Sequence, residues 1–191
     1  MNRVVNALAA MLALLAAPSA GHCQESGQRS YELPNLDVFE LAVPSAWQDI
    51  VDQPSDGGPP TIEFKPAEGP PFEFYVTPNW PDTPDQIVPD AETLRERVRT
   101  EAERMSGQMV EKNPEIRRLQ GASGVGFYFV ATDPAPQPEE FRFMNQGLLQ
   151  VGDLTVMFAI LTNEGQEAVV EEALAMLKSA AHRDTGLDQR Q

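Results

Sequence analysis

Apolar and polar residues alternate along much of this chain, and the places where the period changes divide it into elements. Over residues 37–43, Phe39, Leu41 and Val43 fall on one face and Glu40 and Ala42 on the other, the period of a half-buried strand. Pro44 ends it and Trp47 follows in a turn, read as a core residue. Residues 52–60 carry Pro54, Gly57, Gly58, Pro59 and Pro60 and read as a loop. Ile62 and Phe64 then align on one short strand, and Phe72, Phe74 and Val76 on the next, with Glu68-Gly69-Pro70-Pro71 turning the chain between them. This is the signature of a hairpin. Residues 78–89 hold four prolines and Trp80, a semi-extended connection that cannot be helical.

The period then changes to that of a helix. Asp90 is placed to cap free amide hydrogens, and Ala91, Leu94, Val98, Ala102, Met105 and Met109 recur at helical spacing, opposite Arg95, Glu96, Arg99 and Glu103. This helix is expected to stop near Val110, before Asn113-Pro114. Residues 116–119, 127–131 and 140–150 read as strands, and the glycine-rich stretch 121–126 as a bend. Val151-Gly152-Asp153 turns into residues 154–161, whose continuous apolar character predicts a strand central in its sheet. Asn163 and Gln166 have the spacing of a capping box before a last helix, whose buried face is Val169, Val170, Ala173, Leu174, Met176, Leu177 and Ala180. Hairpins imply antiparallel pairing, and each amphipathic helix must cover a sheet face. The expected fold class is α+β: an antiparallel β-sheet flanked by two main helices, an α/β sandwich.

The N-terminus adds an address. One positive charge at Arg3, an apolar run from Val4 to Ala17 and Pro18-Ser19-Ala20-Gly21 form the pattern of a cleaved signal peptide. The run is about 14 residues long, short of the ~20 that span a bilayer, so no transmembrane segment is expected in the mature chain. The expected organisation is a signal peptide over 1–20, a flexible lead-in over 21–30, one domain over 31–182 and a polar tail over 183–191. The expected location is the periplasm or the medium. About 170 mature residues suffice for a core without disulfide staples, and the single cysteine, Cys23, lies beside the expected cut. As a lipid-attachment site Cys23 departs from the usual pattern at Ala20 and His22.

Charge narrows the partners. The net charge is −15, and removing residues 1–20, with Arg3 the sole charged residue among them, takes it to about −16. Nucleic acid is excluded, because phosphate binding runs on Lys and Arg. An anionic membrane surface is disfavoured for the same reason.

Candidate chemistry is sparse. The two histidines, His22 near the cut and His182 near the C-terminal tail, cannot build a zinc or copper site or orient a nucleophile. His182 is expected at a helix C-terminus, where positive charge is favoured. Gly121-Ala122-Ser123-Gly124-Val125-Gly126 fails as a nucleophile elbow, because Val125 stands where the last glycine belongs, and as a dinucleotide loop, because a strand follows it. Asp82, Asp85 and Asp90 do not have EF-hand spacing and read as solvated carboxylates. Met105, Met109 and Met176 read as helix packing. No catalytic, cofactor or metal residue is assigned. Trp80, between prolines in a long loop, is the candidate contact residue, since an aromatic face there can stack on a partner.

One resemblance is carried by these residues. Phe39-Glu40-Leu41-Ala42-Val43-Pro44-Ser45-Ala46-Trp47 is similar to the opening strand and Pro-x-x-Trp of the PsbP-like and DcrB-like superfamily of small exported α/β proteins. The helix from Asp90, the step Leu119-Gln120-Gly121 into a strand and the final helix with Leu177-Lys178-Ser179 follow in the same order, over residues 31–182. The resemblance implies an antiparallel sheet flanked by helices and a non-enzymatic accessory, binding or assembly role. It transfers no catalytic residue. The proline-rich loops at 54–60, 78–89 and 134–138 depart from it. The expected function is thus an exported binding or accessory protein meeting an envelope protein or a small ligand by surface contact. The alternatives are a carboxylate-dependent hydrolase, with or without a divalent ion, and an envelope component anchored through Cys23.

Overall fold

A computed structural model describes residues 26–33, 37–81 and 88–183. The expected signal peptide, His22, Cys23, Asp82 and Asp85 lie outside the described residues. The elements are β1 (Ser26–Glu32), β2 (Val38–Pro44), β3 (Trp47–Asp52), β4 (Thr61–Pro66), β5 (Glu73–Asn79), α1 (Ala91–Met105), β6 (Arg117–Gln120), β7 (Val125–Thr132), β8 (Phe143–Val151), β9 (Leu154–Thr162), α2 (Glu167–Lys178) and β10 (Ala181–Arg183). The architecture is α+β with two helices, and every strand pairing is antiparallel.

Among the described residues the strands form two sheets rather than one. β1-β2-β10 form a three-stranded sheet and β3-β4-β5-β9-β8-β7-β6 a seven-stranded one. β9 is the middle strand of the large sheet, as its unbroken apolar run predicts.

The pleat sorts the core into two clusters. On one face of the large sheet Ile62, Phe64, Phe74, Val76, Leu149, Val156, Phe158 and Ile160 join Phe39, Leu41 and Val43 of β2 and Ala173, Met176 and Leu177 of α2. Trp47 belongs to this cluster, its ring centroid 4.7 Å from that of Phe72. On the opposite face Leu94, Val98 and Ala102 of α1 cover Phe127, Phe129 and Ala131 of β7. Burying a large apolar side chain contributes about 1.5–3 kcal/mol, so these two faces supply the driving force. α1 packs chiefly over β7 and β8, and no helix among the described residues packs extensively on the outer face of β9, β5 and β4.

Several boundaries differ from the sequence reading. Ser26 to Ser30, read as the end of a lead-in, pair with Glu40 to Pro44 in β1. Trp47, placed in a turn, opens β3 instead, because the turn closes within Ser45-Ala46. α1 ends at Met105, not near Val110. There Ser106 Oγ donates to the Glu103 carbonyl at 2.7 Å, and Lys112 Nζ satisfies the Met109 and Ser106 carbonyls at 2.8 and 3.1 Å. Met109 is still buried, but from the turn beyond the helix.

α2 begins after Gln166, not after Asn163. Gly165 sits at φ 80°, a left-handed conformation that a first helical turn cannot contain. Half of the expected capping box survives, because Gln166 Oε1 accepts from the Asn163 N–H at 2.6 Å. The Asn163 side chain turns the other way and accepts from the Arg142 N–H at 3.1 Å.

His182 is not at a helix C-terminus. The chain leaves α2 at Ser179, buries Ala180 and enters β10, where His182 is the register partner of Phe39.

Candidate functional site

The half of the outer sheet face beyond α1 is built by register. Met157 of β9 lies opposite Thr77 of β5 and Leu148 of β8, and Ala159 opposite Tyr75 and Gln146. Met157 is 44% exposed, although it sits on the central strand of the sheet. A thioether so placed stays open to solvent because α1 packs chiefly on β7 and β8. Tyr75 fills the next position, its hydroxyl donating to Glu73 Oε2 at 2.7 Å and Glu63 Oε1 at 3.2 Å. Burial, and then the bond to Glu73 and the charge of both carboxylates, raise its phenol well above the ordinary range.

Beside this face is a cleft of about 530 Å³. Its walls come from the loop after β3 (Asp56, Gly57, Gly58, Pro59), from Trp80 and Pro81 beyond β5, from Val88 and Pro89 before α1 and from Arg97 in the middle of α1. Asn79, Leu148, Asp153, Thr155 and Met157 make up the rest of the lining. A second hollow of about 300 Å³, floored by Phe129, Gly147 and Leu148, runs beneath α1. Arg97, Leu148 and Met157 line both, so the two hollows adjoin. The smaller hollow is mainly apolar, whereas the larger cleft also carries Asp56, Asn79, Arg97, Asp153 and Thr155; apolar surface beside a few placed polar groups is the usual form of a ligand site.

Trp80 is half-buried, not fully exposed. It leans on the main core cluster and also lines the cleft. A ring anchored on one side and open on the other is well ordered for contact, with little rotamer freedom left to lose.

Arg97 escaped the sequence reading, and it stands where the hollows meet. Arg95, Arg99 and Arg104 each pair with the glutamate three residues earlier, Glu92, Glu96 and Glu101. Leu94 occupies that position for Arg97, and among the described residues no carboxylate pairs with it. This spacing was legible in the sequence. Met157 gave no such signal, since its exposure depends on where α1 ends.

The other candidates have structural work. Asp90 caps α1, accepting from the Thr93 N–H at 2.8 Å, and that bond holds its carboxyl below the usual range. The glycine-rich bend enters β7, and Ser123 Oγ donates to the Ala180 carbonyl at 3.2 Å. A Cβ at Gly124 would meet the Gln150 carbonyl oxygen at 2.3 Å, so the glycine serves the close approach of β8. Among the described residues no three His, Cys, Asp or Glu side chains gather as a metal site.

Comparison with solved structures places this arrangement. The chain matches cyanobacterial PsbP (CyanoP) from Synechocystis sp. PCC 6803 over 87% of its own length and 97% of that protein's, with TM-score 0.50 and 12% identity. The fold is PsbP-like. A second solved structure, of a protein from Bacteroides thetaiotaomicron VPI-5482, matches over 85% of this chain with TM-score 0.51 and 11% identity. The chain spans only half of that protein, 50% of its length. At these identities the PsbP-like likeness is one of fold. No protein-family model matches the chain, and no curated protein matches it. Among the described residues no helix is long and apolar enough to cross a membrane.

Proposed function

We propose that this is an exported, non-enzymatic binding or accessory protein that holds a protein segment or small ligand in the cleft between Trp80 and Arg97. The observation that carries the reading is the pairing of a half-anchored Trp80 with a 44% exposed Met157 on the same cleft. An aromatic wall and an exposed apolar floor lose water on contact, and such residues dominate binding energies. Export is supported by the N-terminal pattern of Arg3, the apolar run and Ala20-Gly21. The non-enzymatic part is supported by the PsbP-like fold and by the occupation of Asp49, Asp90, Glu101 and Glu111 in ion pairs, caps and turns.

The test is a photo-crosslinking residue at position 157, used in native cells, with one at the remote Glu139 as control. A defined partner crosslinked from position 157 alone is expected. Trp80→Ala should reduce its yield at least about tenfold, equivalent to ~1.4 kcal/mol, while the thermal midpoint shifts by only a few degrees. Equal capture from both positions, or a collapse of the midpoint, would overturn the reading.

A further inference from the structure

The two edges of the large sheet are treated differently. β6, at one edge, is four residues long and carries exposed Arg117 and Arg118. Short length and charge are ordinary protections against edge pairing. β3, at the other edge, has neither a lysine nor an arginine, and it exposes two adjacent apolar residues, Ile50 at 54% and Val51 at 49%. Adjacent strand residues face opposite sides of a sheet. Both faces of the edge are therefore greasy at the same point, and alternate backbone N–H and C=O groups beside them point outward with no strand among the described residues to meet them.

The edge is also held in place. Arg29 of β1 pairs with Asp49, and Tyr31 donates to Asp49 Oδ2 at 2.8 Å. Arg29 also donates to the Trp47 carbonyl at 2.9 Å, which closes the first part of the edge and leaves Ile50 onward open. An extended segment docking there would find a strand already straight and anchored, with little ordering left to do.

Charge decides between occupants. A second copy of this chain would bring another −15 and set the Asp49 and Asp52 carboxylates of the two strands close together. A cationic segment meets the opposite situation, with Asp52 and Asp56 exposed beside the open run. We propose that β3 is a docking edge that takes a basic, alternating apolar–cationic strand of a partner protein by strand addition at Ile50 to Asp52. This surface is separate from the Trp80 cleft and does not depend on it.

The probe is a heptapeptide of alternating lysine and valine, titrated into the isotopically labelled whole chain, with a glutamate–valine peptide as control. The lysine peptide should shift resonances confined to β3 and β4. It should slow amide exchange at least about tenfold at the one of Ile50 and Val51 whose N–H points away from β4, the mark of new backbone pairing. Ile50→Lys/Val51→Lys should weaken it at least about tenfold, and Trp80→Ala should leave it unchanged. Ile50→Ser is the milder variant if the double one does not fold, and the exchange readout needs no variant. No binding, equal binding of the glutamate peptide or shifts centred on α1 would each overturn the proposal. So would self-association through β3 without peptide, which would make a second copy the occupant.

Discussion

His182 Nε2 lies 3.0 Å from Asp37 Oδ2, so the last described strand is locked to the residue that leads into β2. The imidazole side chain is only 6% exposed. Its Nδ1 faces the Asp153 N–H at 3.4 Å, in the turn between β8 and β9. One ring therefore ties the small sheet to the large one. His182→Ala is expected to cost about 1–3 kcal/mol, because buried polar partners lose their bond while their desolvation remains. Urea unfolding of the variant against wild type measures it, and a change near zero would show the tie to be idle.

Gly147 of β8 is the register partner of both Tyr128 and Phe158, whose rings stand 6.4 Å apart. A Cβ there would lie 2.2 Å from the Phe127 carbonyl oxygen and 2.6 Å from Tyr128 Cβ. Backbone cannot yield as a flexible side chain can. Gly147→Ala should destabilise by about 3 kcal/mol or more, read as a lowered denaturant midpoint. Unchanged stability would mean that β7 and β8 approach less closely than the structure has them.

Tyr31 donates to Asp49 between the two sheets, and burial, followed by the bond to Asp49, raises its phenol far above the ordinary 10.0. A raised value in the folded state means that the phenol's contribution is present below its unfolded value and is lost as pH rises through the folded one. Tyr31→Phe should cost about 1 kcal/mol at neutral pH and remove part of the alkaline loss of stability. Unfolding curves across the alkaline range would show it, and identical curves would count against the bond.

Glu111 fastens the turn after α1 to the end of β7. Its carboxylate accepts from Thr132 Oγ1 at 2.6 Å and from the Thr132 N–H at 2.9 Å. Burial alone would raise its carboxyl, but the two bonds outweigh it and hold the group below its ordinary 4.5. The stability it supplies is thus present above that ordinary value and lost as pH falls through the lower folded one. Glu111→Ala should lower stability at neutral pH by about 1 kcal/mol and flatten the acid limb of the stability profile. An acid limb identical to wild type would rule this out.

The sequence by itself determined the elements that depend on local rules. Period-two alternation gave β2, β4 and β5, helical period with an Asp cap gave α1, and an unbroken apolar run placed β9 at the centre of a sheet. These signals are readable because each residue's face follows from its own spacing. That Arg97 lacks a glutamate three positions before it was readable in the same way, from Leu94. What only the tertiary structure decided was everything set by contacts distant in sequence. It split the strands into two sheets, because β2 pairs with β1 and β10 and packs on α2 instead of joining β3. It turned His182 from a helix end into a strand, because Asp37 and the Gly152 turn wait for it 145 and 30 residues upstream. It left Met157 exposed and the β3 edge bare, because how far α1 reaches and where a sheet ends are properties of packing, which no local period encodes.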